Sequence, residues 1–195
     1  MKYILIIILL INCFTFAQDQ INHSFWAEIG TGVSFIKLSN DNAGFNYFGS
    51  LSYEINNNNF SLSYLHSREF LSFNHPEEYI KSYELKYGRS IDFSMRGLIF
   101  PFPLLLILKK DFDYSLIGKI GISYNEGLKR TVLLKDGLFD NNYDSKITTG
   151  FGLPIEIELR EEITSFIGMG LSLYVNFNKV KNYSGFNFNI YVGQF

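Results

Sequence analysis

Cysteine is almost missing from this chain of 195 residues, and the single one, Cys13, lies inside an N-terminal apolar run. Everything after it is therefore without disulfides or thiolate metal sites. Charge is sparse as well, at 18% of residues with a formal net charge of −2. Neither a basic stripe for nucleic acid nor an acidic tail is present, so no nucleic-acid partner is expected. After the N-terminus no apolar run reaches the ~18 residues that a membrane-crossing helix needs. Histidine is limited to His23, His66 and His75, and there is no phosphate-cradling loop or dinucleotide fingerprint. No cofactor and no metal ion are expected.

Aromatic residues are plentiful instead, with 20 Phe and 13 Tyr beside one Trp. The N-terminus has the layout of an export signal. Lys2 precedes an apolar run over 3–11, and Thr15-Phe16-Ala17 supplies small residues at the cut site. Residues 1–17 are read as a signal peptide and 18–195 as one exported domain. Acylation at Cys13 is disfavoured, because Asn12 stands where a small residue is wanted.

Alternation with period two marks eight candidate strands, at 25–36, 44–55, 60–67, 79–89, 112–124, 147–159, 163–177 and 183–195. Asn-rich clusters separate several of them, as turn chemistry favours. One face is apolar, as in Phe151, Leu153, Ile155, Ile157 and Leu159. The other is small or polar, as in Gly150, Gly152, Pro154, Glu156 and Glu158. A soluble sandwich would carry Lys, Glu and Thr on its exposed face. Gly, Ser and Asn with isolated charges suit the narrow interior of a closed barrel, and an uncharged outer face suits lipid. The expected fold is all-β, a single closed antiparallel up-and-down transmembrane barrel of about eight strands.

Aromatic residues near strand ends predict two girdles at the membrane interfaces. Phe25, Trp26, Tyr53, Phe60, Tyr87, Phe112 and Tyr114 would form one. Phe35, Phe45, Tyr47, Tyr64, Tyr83, Tyr124, Phe177 and Tyr183 would form the other. With both termini periplasmic, 56–59 and 160–162 are short inner turns, and 37–43, 68–78, 126–146 and 178–182 are outer loops. The connection 91–111, which contains Pro101 and Pro103, is long for an inner turn and breaks this rule.

These residues resemble the small outer-membrane β-barrel proteins of Gram-negative bacteria, the eight-stranded OmpA/OmpX-like group, and most of all barrels of the Bacteroidetes type. The resemblance rests on Phe16-Ala17-Gln18, Glu84-Leu85-Lys86-Tyr87-Gly88-Arg89, Gly152-Leu153-Pro154-Ile155-Glu156, Gly168-Met169-Gly170-Leu171 and the closing Phe195. It implies the cell outer membrane as location. It also implies outer-membrane lipid and the barrel assembly machinery as partners, and a monomer. Phe195 lies on the opposite parity to Phe186, Phe188, Ile190 and Val192, so a bulge would be needed to turn it outward.

The lumen-lining polar candidates are Glu28, Glu54, Glu84, Lys86, Lys119, Glu156 and Glu158, with Asp113 on the same parity. Buried charge demands pairing, so Lys86 and Lys119 are expected to neutralise nearby glutamates. His66, Ser67 and Glu69 faintly resemble a hydrolase trio, but sequence neighbours on one strand face opposite ways. The expectation is a barrel with a structural or surface-interaction role and no catalysis. A narrow pore and a lipid-modifying barrel enzyme are the alternatives.

Overall fold

Alternating side chains and Asn-rich turns make strand the dominant element wherever the chain is described. A computed structural model describes residues 23–36, 42–70, 74–95, 112–135 and 141–194. The expected signal peptide, most of the 91–111 connection and Phe195 lie outside the described residues.

The strands are β1 (His23–Ile36), β2 (Asn42–Ile55), β3 (Asn58–Glu69), β4 (Asn74–His75), β5 (Tyr79–Met95), β6 (Phe112–Lys135), β7 (Asn141–Glu162), β8 (Ile167–Asn178) and β9 (Tyr183–Gln194). Eight of them pair antiparallel in the ring β1-β2-β3-β5-β6-β7-β8-β9, and β9 returns to β1. The two-residue β4 adds only a parallel pairing to the start of β7. The fold is an all-β closed barrel of eight antiparallel strands. Closure leaves no sheet edge and pairs the backbone groups internally.

The shortest connection is the hairpin between β2 and β3. Asn56 and Asn57 take φ of 49° and 65°, the left-handed region that a two-residue primed turn requires. Asn tolerates that region better than other residues with a side chain.

Outward residues follow the predicted parity. Ile29, Leu62, Leu85, Ile122, Phe151 and Leu173 are all exposed on the outer wall, Phe151 at 74% and Ile122 at 65%. Aromatic pairs such as Tyr64 and Tyr83, with ring centroids 5.2 Å apart, bridge neighbouring strands on that wall.

Two expectations are corrected. The predicted outer loop 126–146 is largely strand. β6 and β7 continue as a hairpin past Tyr79, where β5 begins opposite Leu128. β5 likewise runs on to Met95 at the opposite end. Alternation lapses over 128–135 of β6, whereas Ile91, Asp92, Phe93, Ser94 and Met95 keep it beyond the predicted end of β5.

Three girdle assignments also fail. Trp26 and Tyr183 point into the barrel and are fully buried, and Tyr114 is buried against Phe93 with ring centroids 5.7 Å apart. Trp26 shares its parity with Glu28, so the pleat turns it inward whatever its affinity for interfaces. Tyr53, Phe60 and Tyr87 at one end are exposed on the outer wall as expected. Phe35, Phe45, Tyr47, Tyr83, Tyr124 and Phe177 at the other end are too. β9 holds one register against β1 from Tyr183 to Gln194, with no bulge among the described residues.

Pro154 lies within β7, facing inward and buried. It has no N–H to give, and the β6–β7 ladder lapses between the pairs Ile120–Ile155 and Ser123–Gly152.

Candidate functional site

The interior has three layers. Several strands contribute to more than one of them through their inward positions, β1 with Trp26 and Glu28 and β6 with Ile117 and Lys119 among them.

Toward the end that bears the long hairpin, Phe48, Leu65, Ile80 and Tyr183 form a buried apolar cluster, with Tyr174 packed against it. Toward the other end, Trp26, Ile117 and Tyr191 form a second one. The guanidinium carbon of Arg160 lies 4.2 Å from the centre of the Trp26 ring. None of these inward apolar residues was expected in a lumen read as small and polar.

Between the two plugs lies the charged layer. It is set by strand order: Glu28 follows Trp26 by one inward position, Lys119 follows Ile117, and Glu84 and Lys86 follow Ile80 and Ser82. Six of the seven candidates meet here. Lys86 pairs with Glu84 at 3.1 Å and with Glu156. Lys119 pairs with Glu156 at 3.3 Å and with Glu158. Glu28 accepts a hydrogen bond from Ser50 at 3.1 Å. One carboxylate oxygen each from Glu28, Glu156 and Glu158 lies within 4.8 Å of the others.

Glu84 is further held by hydrogen bonds from Ser82 at 2.9 Å, Asn176 at 3.2 Å and Tyr183 at 3.2 Å. Tyr183 thus joins the upper plug to the charged layer. Small residues make room for the long side chains. A Cβ on Gly121 would stand 2.1 Å from the Leu85 carbonyl oxygen, and one on Gly30 would stand 2.2 Å from the Phe48 ring.

Glu54, the seventh candidate, stands apart near the β2–β3 turn, where Ser90 donates to it at 2.8 Å. Asp113 is exposed at the start of β6, opposite the extension of β5, and accepts from Ser94 at 2.5 Å, so it is not a lumen residue. His66 lies outside, its ring bonded to the Tyr47 hydroxyl at 2.6 Å. Ser67 is buried inside and bonded to Ser34. These two residues form no dyad, as the strand geometry dictates.

A second buried charge cluster escaped the sequence reading. Arg130, on the hairpin, donates to Glu69 at 2.6 Å through its guanidinium and to Glu78 at 2.8 Å through its backbone N–H. Glu78 in turn donates its own backbone N–H to Glu69 at 3.3 Å. The cluster fastens the base of the β6–β7 hairpin to the β3–β5 connection.

What this arrangement can do follows from its chemistry. The outer wall offers an apolar belt. The interior holds a charged layer whose ammonium groups are engaged by carboxylates, with a buried apolar cluster on either side of it. No helix among the described residues is long and apolar enough to cross a membrane, which leaves crossing by strands open.

No family model matches the sequence, and no curated protein matches it. Among solved structures, the chain is similar to Neisserial surface protein A, from Neisseria, with a TM-score of 0.52 and 14% identity over 91% of this chain and 100% of that one. It is also similar to Ail, the attachment invasion locus protein of Yersinia pestis, with a TM-score of 0.50 and 12% identity over 89% of this chain and 97% of that one. Both neighbours are small eight-stranded outer-membrane barrels, and the likeness is one of fold.

Proposed function

We propose that this chain is an integral protein of the bacterial outer membrane, in which a stoppered barrel serves as anchor and the outer hairpin and loops make the contacts. The observation that carries the reading is the contrast between the two faces of the wall. Mid-strand outward positions such as Ile29, Leu85, Ile122 and Leu173 are apolar and exposed, while Glu28, Lys86, Lys119 and Glu158 are enclosed. A water-soluble barrel would invert that contrast, because exposed apolar belts of this extent drive association in water. In lipid the same belt is the solvated surface.

In this reading residues 1–17 direct export and the barrel assembly machinery inserts the mature chain, which stays a monomer ringed by outer-membrane lipid. The β2–β3 and β7–β8 turns face the periplasm, and the β6–β7 hairpin faces outward. Val132, Leu133 and Leu134, exposed on that hairpin beyond the barrel, are its most apolar outward feature. The two plugs favour an anchor over a pore, and the separation of His66 from Ser67 speaks against a hydrolase.

Electrophoretic mobility of the detergent-purified protein with and without boiling tests the anchor. A folded barrel migrates differently before and after heating. Identical migration, or release of the protein from membranes by alkali, would overturn the reading. Stepwise conductance in planar bilayers would replace the anchor with a pore.

A further inference from the structure

We infer that the charged layer holds one divalent cation of the calcium class between Glu28, Glu156 and Glu158. The oxygens that these residues offer lie within 4.8 Å of one another. Calcium takes oxygen ligands at about 2.3–2.6 Å, so ligands on opposite sides of the ion stand about 4.6–5.2 Å apart. The smaller magnesium dehydrates reluctantly and usually keeps several waters, which a layer enclosed in this way does not suit. The donors are carboxylates, with the hydroxyl of Ser50 beside Glu28. An all-oxygen set selects a hard cation over zinc or copper.

A separate observation points to a ligand. Glu28 Oε1 and Glu158 Oε1 have no hydrogen-bond partner, although the two residues are only 1% and 0% exposed. An ionised carboxylate without a partner in such surroundings is costly. The carboxylates of the layer outnumber its ammonium groups. Four carboxylates, Glu28, Glu84, Glu156 and Glu158, face two ammonium groups, and both are taken. Lys86 serves Glu84 and Glu156, and Lys119 serves Glu156 and Glu158.

Lys86 and Lys119 hold the two oxygens of Glu156, Oε2 and Oε1 respectively, so the open positions lie on its neighbours. Lys119 engages Glu158 through Oε2, which leaves Oε1 without a partner. Glu28 has a serine hydroxyl as its donor and, among the described residues, no ammonium within pairing distance. One divalent ion would balance the layer and satisfy both bare oxygens. The plugs on either side would keep it there, so the ion is captured as the barrel closes.

The test is to fold the full chain into detergent with calcium, with magnesium or with EDTA, and then to strip loosely held ions with chelator and gel filtration. Metal content is read by mass spectrometry and folding by heat-modifiable mobility. The expected result is one calcium retained per folded chain, with a melting temperature above that of protein folded in EDTA. Magnesium should be retained less. Glu28→Gln and Glu158→Gln should each lose the ion, at least tenfold in occupancy, while Glu54→Gln keeps it. Folded wild-type protein that retains no calcium overturns the inference, whatever the variants do. So does folded Glu28→Gln that retains as much as wild type.

Discussion

Lys119 is shared between Glu156 and Glu158, which stand two residues apart on β7 and so face the same way. The period of the strand places both acids on the lumen side, and the β6–β7 register sets Lys119 directly opposite Glu156. One ammonium thereby holds two carboxylates in a space that water does not reach. Such a bridge is worth little against an apolar filling but is expensive to break from one side, because the orphaned charge stays buried.

Replacing Lys119 by Met should therefore destabilise the barrel by about 3–5 kcal/mol. The double change Lys119→Met with Glu158→Gln should recover part of that loss, since it removes an orphaned carboxylate too. Urea unfolding of the detergent-solubilised protein, followed by tryptophan emission, gives both values. A single variant as stable as wild type would show that the bridge contributes nothing.

Trp26 is the only tryptophan in the sequence, so emission reports one place in the molecule. Its indole packs with Ile117 and Tyr191 inside the wall and should be shielded from lipid. Brominated lipids should quench it weakly, and acrylamide should reach it only on unfolding. Strong quenching by bromine at the interface would return Trp26 to the outer girdle. Trp26→Ala should cost about 3–5 kcal/mol, as the loss of a large buried side chain does.

The apolar belt has a height, and arginine can find its limits. Ile122 and Val132 are similarly exposed, at 65% and 61%, and both are on β6. Ile122 lies in the wall, whereas Val132 lies on the hairpin beyond it. Ile122→Arg should cost about 2–4 kcal/mol in a bilayer. Val132→Arg should change stability by no more than about 0.5 kcal/mol, as surface changes do in water. Equal costs at the two sites would dissolve the distinction between wall and hairpin.

Arg130→Ala should loosen the hairpin without opening the barrel. Glu69 and Glu78 lose the guanidinium that holds them, and the hairpin base loses its tie to the β3–β5 connection. Limited proteolysis should then cut within 126–146 faster than in wild type, while heat-modifiable mobility stays unchanged. Loss of that mobility would mean that the clamp supports the whole ring.

The barrel was legible in the sequence because lipid and lumen impose opposite chemistry on alternate residues. β8 illustrates this: Ile167, Met169, Leu171 and Leu173 face out, while Gly168, Gly170 and Ser172 face in. Where one of those constraints ends, so does legibility. The extension of β6 to Lys135 is strand without alternation, and nothing in its side chains marks it. The inward aromatics were hidden for another reason. Trp26 and Tyr183 sit near strand ends, where preference for the membrane interface and the parity of the pleat give opposite answers. Parity prevails, because it is fixed by the backbone.

Glu28, Glu84, Lys86, Lys119, Glu156 and Glu158 share the inward parity, and that parity is the sequence signal behind the charged layer; Glu54 shares it too but stands near the β2–β3 turn. Which acid meets which lysine depends on the ring register, which brings Lys86 to Glu156 across 70 positions of sequence. The Arg130 clamp left little signal. Glu69 keeps the inward parity of β3, but Glu78 and Arg130 lie beyond the alternating segments, and only the folded connection assembles the three.

The ring is joined where β1 meets β9, between the earliest and the latest strands described. Trp26 and Tyr191 lie on the two sides of that join. Without β9 the sheet has raw backbone at two margins and the Trp26 cluster lacks a member, so the ring and that cluster are completed together when β9 pairs with β1.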